Sequence, residues 1–248
     1  MSKFLTSITI LGAIFLGLIY AVSTAKADDL SVFQSQVINP VVQLERNCSG
    51  VVFNTSDVQA TWIVTANHCV DGEQSGHINI DTKDRAKLID TQTYVFDVKA
   101  RSISTDLAVL KLRKSGLMLE GATIAQEDPQ EGEKVWTVGY PLGLTRTVTE
   151  GFFGGYMSLT PDMGFDGDGN GREVYRATPA IFGGNSGGGF FIKRGVNYQL
   201  VGITDAGFQA FFVAGFYNTQ KDMNELIRLA LSAEQRQGVT IEQKKQND

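Results

Sequence analysis

The sequence predicts an all-β protein, and three observations predict it. Short runs rich in β-branched and aromatic residues recur along most of the chain, with Gly, Asp and Asn between them. Apolar residues at helical spacing occur only near the ends. Closely spaced short strands describe an antiparallel sandwich or barrel, because βαβ units need a helix between successive strands. With 248 residues, 42% of them hydrophobic, the chain can bury one large core or two modest ones, which excludes disorder as its main state.

The elements follow in order. Residues 1–27 carry a basic start at Lys3, an apolar run from Phe4 to Val22 and the ending Ala25-Lys26-Ala27. This is the pattern of an export signal cleaved after Ala27. The run is also nearly long enough to span a bilayer, so membrane anchoring through residues 4–22 is the competing expectation. Both place the folded part outside the cytoplasm, periplasmic or secreted. A short amphipathic segment is predicted from Asp29 to Ile38. The first strand set is Pro40 to Leu44, Gly50 to Phe53, Thr61 to Thr65, Thr93 to Val98 and Leu107 to Leu112.

Lys114 to Lys134, with Gly116, Gly121, Asp128-Pro129 and Gly132, reads as an interdomain connection, dividing the chain into units 28–120 and 121–233. The second strand set is Lys134 to Val138, Thr147 to Phe153, Val174 to Ala177, Gly189 to Lys193, Gln199 to Thr204 and Phe211 to Tyr217. Asp222 to Leu231 has helical spacing. The last residues, 234–248, form a polar tail. Asp166-Gly167-Asp168-Gly169-Asn170-Gly171 begins like a calcium loop, but position twelve is Ala177 where a bidentate Glu is needed. An acidic hairpin is expected there, and no metal or cofactor.

The formal charge is -5, and without Lys3 and Lys26 the 22 bases fall to 20 against 27 acids. An acidic surface argues against nucleic acid as a partner. The two cysteines, Cys48 and Cys69, are expected to pair in an exported chain. Because Cys69 follows His68, that disulfide would anchor the loop holding the histidine.

Three motifs carry the chemistry: Thr65-Ala66-Asn67-His68-Cys69, Asp106-Leu107-Ala108-Val109-Leu110 and Gly184-Asn185-Ser186-Gly187-Gly188. They place a base, an acid and a nucleophile along one chain. Acyl transfer by serine needs a neutral imidazole, a carboxylate that holds its tautomer, and backbone donors for the oxyanion. The third motif also fits the G-x-S-x-G elbow of α/β-hydrolases, where the catalytic histidine follows the serine. Both histidines here, His68 and His77, precede Ser186, so that fold is excluded. His77, among Ser75, Gly76 and Asn79, reads as a surface loop residue.

With these motifs the chain resembles the trypsin-like serine proteases over roughly Val41 to Leu231. The resemblance implies two six-stranded antiparallel β-barrels, chymotrypsin-like, with a C-terminal helix. The first would carry His68 and Asp106, the second Ser186. It implies His68 as general base, Asp106 as orienting acid, Ser186 as nucleophile, and an oxyanion hole from the N–H groups of Gly184 and Ser186. Asn185 cannot make the zymogen ion pair of digestive enzymes. The run from Gly132 to Leu144, with Thr147 to Gly151 and Ala177 to Ile181, is similar to the HtrA/Deg branch. About seventeen residues follow the predicted helix, so no PDZ domain is expected.

Ala180, Ile181 and Phe182 would line an apolar substrate pocket together with the strand Thr204, Asp205, Ala206 and Gly207, which would also pair with substrate backbone. The expected partners are protein or peptide substrates with extended segments and small or medium apolar side chains. The rival expectation is a catalytically silent protease-like binding or scaffold protein.

Overall fold

The computed structural model describes residues 29–45, 47–56, 61–82, 90–113, 119–160, 172–207 and 214–247. The expected signal or anchor at 1–27 and the acidic hairpin at Asp166–Gly171 lie outside them. Among the described residues no helix is long and apolar enough to cross a membrane.

Among the described residues twelve strands close into two six-stranded antiparallel barrels. The first comprises β1 (Val41–Leu44), β2 (Cys48–Phe53), β3 (Trp62–Ala66), β4 (Ser75–Thr82), β5 (Asp90–Ser102) and β6 (Leu107–Leu112), in spatial order 1-2-3-6-5-4. The second comprises β7 (Lys134–Gly139), β8 (Thr147–Leu159), β9 (Arg172–Ala177), β10 (Gly189–Arg194), β11 (Asn197–Gly207) and β12 (Gly215–Tyr217), in order 10-11-12-9-8-7. Every residue of β2 and β3 is buried. One face fills the first barrel with Val52 and Ile63, and the other meets the second barrel through Val51 and Val64. Burial on both faces is why these strands read as unbroken apolar runs.

Strand β4 departs from the sequence expectation. Its sequence SGHINIDT is polar overall, but Ile78 and Ile80 alternate inward while His77 points out. His77 therefore lies on a strand and not in a loop, with Nδ1 3.2 Å from Glu45 Oε1 on the surface. Strands β5 and β8 run to 13 residues each, longer than their apolar cores suggest, and each bends at a register shift, between Val98 and Ala100 and between Phe153 and Tyr156.

The interbarrel segment is stitched to both halves. Ala122 bridges Phe53 in parallel, and Ile124 bridges Leu200. At the amino end α1 spans residues 29–38, its second half, Gln34–Ile38, wound as a π-helix. The C-terminal helix α2 (Gln220–Asn247) continues through the expected polar tail. Thr219 caps its start, exchanging hydrogen bonds with Asp222 at 2.8 and 3.2 Å. Its residues Met223, Leu226, Ile227 and Ala230 are buried in one cluster with Val64 and Val109 of the first barrel and Ile203 of the second. This apolar seam between barrels holds the two halves in register, and the motif residues sit beside it.

Candidate active site

His68 lies in a single 3-10 turn, Asn67–Cys69, where the chain leaves β3. Asp106 ends the turn that leads into β6. Its φ of 50° is left-handed, a conformation Asp tolerates better than most residues. The Asn67 N–H donates to the Asp106 carbonyl at 3.0 Å, pinning one motif to the other. The carboxylate then holds the histidine twice: Oδ2 lies 2.6 Å from Nδ1, and Oδ1 accepts from the His68 backbone N–H at 2.8 Å. Two contacts fix the ring's direction and leave Nε2 as the nitrogen available for proton exchange.

Ser186 sits in two consecutive tight turns. Asn185 N–H donates to Phe182 O at 3.0 Å, and Gly188 N–H donates to Asn185 O at 2.8 Å. In each turn the third residue has a positive φ, 99° at Gly184 and 80° at Gly187. A side chain is excluded at both places. A Cβ on Gly187 would stand 2.1 Å from Ser49 O and from Thr65 Oγ1, and one on Gly184 would stand 2.4 Å from Tyr140 O. The alternate N–H groups, Asn185 and Gly187, are consumed by Phe182 O and Thr204 O. Those of Gly184 and Ser186, the two expected oxyanion donors, have no backbone acceptor among the described residues.

Residues that the motifs do not reveal hold this turn in place. Ser49, fully buried on β2, donates from Oγ to Gly184 O at 2.7 Å and accepts from Tyr140 N–H at 2.9 Å. Its own N–H donates to Ser186 O at 2.8 Å, and its carbonyl accepts from Thr65 Oγ1 at 2.7 Å. Leu142, itself at φ 56°, donates its N–H to Gly183 O at 2.6 Å. Cys48 and Cys69 form the expected disulfide, with Cα atoms 5.9 Å apart. The bridge joins the histidine turn to the residue before Ser49.

The Ser186 hydroxyl donates to the backbone carbonyl of Asp205, 3.5 Å away. The Asp205 side chain departs from the expected pocket role. It is 5% exposed, and Arg172 Nη2 from the start of β9 is bonded to its Oδ2. His68, Asp106 and Asp205 bring ligand-type atoms within 4.8 Å of one another, as do Cys48, His68 and Cys69. Bonds already engage several of these groups: the sulfurs with each other, His68 Nδ1 with Asp106, and Asp205 Oδ2 with Arg172.

The three titrating groups perturb one another. The Asp106 hydrogen bond raises His68 above the ordinary imidazole range, against the opposing effect of burial. For Asp106, burial is the largest influence and acts upward, but the bonds from His68 overcome it and leave the carboxyl below its usual range. Burial pushes Asp205 up to about 7, with Arg172 pulling it back and the Asp106 charge pushing further.

Of the other expected pocket residues, Thr204 is buried, Ala180 and Ile181 are partly covered, and Phe182 is 44% exposed. Ala180 O accepts from Thr149 Oγ1 at 2.8 Å, which fixes the stretch before the nucleophile. Ala206 and Gly207 pair with Phe216 and Gly215 across β11 and β12.

The family model of the trypsin-like peptidase domain matches residues 48–203. The chain belongs to the trypsin-like peptidase family. Within that family it resembles the HtrA and DegS serine proteases. It is 30% identical over 159 residues to the serine protease Do-like HtrB of Bacillus subtilis, covering 62% of this chain and 31% of that protein. It is 32% identical over 135 residues to the serine endoprotease DegS of Escherichia coli, covering 50% and 36%. The chain thus spans about a third of the length of these curated relatives. Among solved structures, the HtrA-type protease AlgW superposes with a TM-score of 0.61 at 21% identity, covering 80% of this chain and 62% of that one. A serine endoprotease from Yersinia pestis superposes at 0.59 and 20% identity, covering 82% and 66%. At such identities the superpositions speak for the fold alone, the double barrel of this trypsin-like family member.

Proposed function

We propose that this chain is a serine endopeptidase in which Ser186 attacks the peptide carbonyl, His68 is the general base and Asp106 orients it. The observation that carries this reading is the double hold of Asp106 on His68 beside a serine turn in which two N–H groups have no backbone acceptor among the described residues. In the reaction Ser186 Oγ turns from the Asp205 carbonyl to His68 Nε2, gives up its proton and bonds the substrate carbon. The developing oxyanion takes the Gly184 and Ser186 N–H groups. The imidazolium, steadied by Asp106, then protonates the leaving amine, and water repeats the sequence to free Ser186.

Substrates are extended or unfolded protein segments that add a strand beside β11 at Thr204 to Gly207. The side chain at the cut is small or medium and apolar, because Ala180, Ile181 and Phe182 precede the nucleophile and offer no charge. The chain works outside the cytoplasm, a reading that rests on residues 1–27 and is checked by fractionating cells that express the full protein. One feature favours the silent-scaffold alternative: in the resting structure Ser186 Oγ bonds to Asp205 O and not to His68.

A fluorophosphonate probe decides between them. The endopeptidase covalently labels at Ser186 and loses the label in Ser186→Ala. Equal absence of label from both folded proteins would sink the enzyme reading. Mapping cleavage sites in a denatured protein mixture tests the pocket, and cutting mainly after Arg or Lys would overturn the apolar preference.

A further inference from the structure

A second carboxyl group stands behind the triad acid, and no step of the reaction above uses it. Asp205 on β11 is 5% exposed and lies within 4.8 Å of both Asp106 and His68. Among the described residues three charged or titratable groups face it: Arg172 from the start of β9, Asp106 from the turn before β6, and His68 from the turn after β3. A buried carboxylate needs a partner charge or a proton, and here both are within reach. Arg172 meets Oδ2 of the group, and the Asp106 carboxylate comes within 4.8 Å of it. Two carboxylates at that separation do not ionise together at low cost.

We propose that Asp205 is a positioning residue of the triad, a proton-bearing clasp that donates to Asp106 on one side and is tethered by Arg172 on the other. The proposal rests on the assignment of His68 and Asp106 as base and orienting acid. With its proton on, Asp205 is a neutral donor that fixes the Asp106 oxygens, so that Oδ2 faces Nδ1 and Oδ1 faces the His68 N–H. With its proton off, it becomes the anion of an Arg172 pair, and its charge makes His68 hold a proton more tightly. During acylation the proton still travels from Ser186 Oγ to His68 Nε2, and Asp205 keeps its own. Burial, with the Asp106 charge adding to it, pushes the Asp205 carboxyl up to about 7, towards the range in which the imidazole must be neutral. The two groups therefore titrate as a pair.

The chain has only two histidines, His68 and His77, so imidazole NMR resolves the base directly. The test uses the full chain carrying Ser186→Ala, with and without Asp205→Asn, and follows His68 from pH 4 to 9. The pair predicts two inflections for His68 in Ser186→Ala, and one inflection at lower pH once Asp205 is Asn. A single, identical step in both proteins overturns the proposal. Should the double variant not fold, the Ser186→Ala titration decides alone: two inflections support the pair, and one refutes it.

Hydrolysis provides the second readout. Asp205→Ala loses the donor to a charged group and is expected to lower kcat/KM by roughly tenfold or more, with Asp205→Asn restoring most of it and moving the acid limb to lower pH. Unchanged rates and pH profiles in both variants count against the clasp. The titration needs no turnover, so a chain that fails to hydrolyse peptides still reports on Asp205.

Discussion

Replacing Ser49 by Ala removes one oxygen, and the structure says what that oxygen holds. Its hydroxyl satisfies the Gly184 carbonyl at 2.7 Å and the Tyr140 N–H at 2.9 Å, and Ser49 itself is fully buried between the barrels. Truncation takes the hydroxyl contact away from one buried carbonyl and one buried N–H. Each such group costs about 1–3 kcal/mol, so the variant should be destabilised by about 2–4 kcal/mol, allowing for relaxation around the gap. The Gly184 carbonyl belongs to the peptide that follows the expected oxyanion donor, so the same change loosens that donor. Losing one donor outright costs on the order of a hundredfold in kcat, which is the upper bound here. Urea denaturation in a Ser186→Ala background, where self-cleavage cannot interfere, measures the stability term, and kcat/KM on a peptide measures the other. Ser104→Ala, which removes an exposed hydroxyl, serves as the control and should stay within about 0.5 kcal/mol of its parent. If Ser49→Ala matches that control and keeps its full rate, the strut between barrels is not what shapes the site.

Three further outcomes are expected. Gly187→Ala must either abandon a φ of 80° or drive a methyl into Ser49 O and Thr65 Oγ1, so it should be unfolded or inactive by thermal melting and probe labelling. Reducing the Cys48–Cys69 bridge, which closes a separation of 21 residues, should cost about 3 kcal/mol by the chain-entropy relation, visible as a lower urea midpoint with reductant. His68 has a raised folded pKa, so the stability from its imidazolium contact with Asp106 is complete below the free imidazole value of about 6.5 and is lost as pH rises through the folded value. Activity runs the other way, because the base must be neutral: kcat/KM should climb through a window beginning near 6.5 and extending above it. An acid limb centred well below the free imidazole value would contradict the Asp106 contact.

The parts legible in the sequence share a physical property: each is local. Asn67-His68-Cys69 ends an apolar strand, Gly184 to Gly188 must turn tightly, and both patterns show within a few residues. Strand β4 is hard to read because only Ile78 and Ile80 carry its inward face, with Ser, His, Asn and Asp between and around them. Ser49 and Arg172 are silent for a different reason. Their partners lie 135 and 33 residues away, and nothing beside them in the chain marks the contact. Asp205 is legible as part of a strand and is expected in the pocket, since alternation along β11 does not say which neighbour a buried carboxyl will meet.

The sequence by itself determined the chemical kinds and their order: a histidine, an aspartate and a serine between glycines, on strands whose apolar runs required burial on two faces. Local hydrogen bonding and solvent exclusion act over a few residues, and composition alone carries them. Only the tertiary structure decided how those kinds are held. Closing two barrels against one apolar seam sets β2, β9 and β11 beside the motifs, so that Ser49 meets Gly184 and Tyr140, and Asp205 meets Asp106 and Arg172. Contacts between distant segments depend on the packed geometry of the whole chain, and no short stretch of sequence contains it.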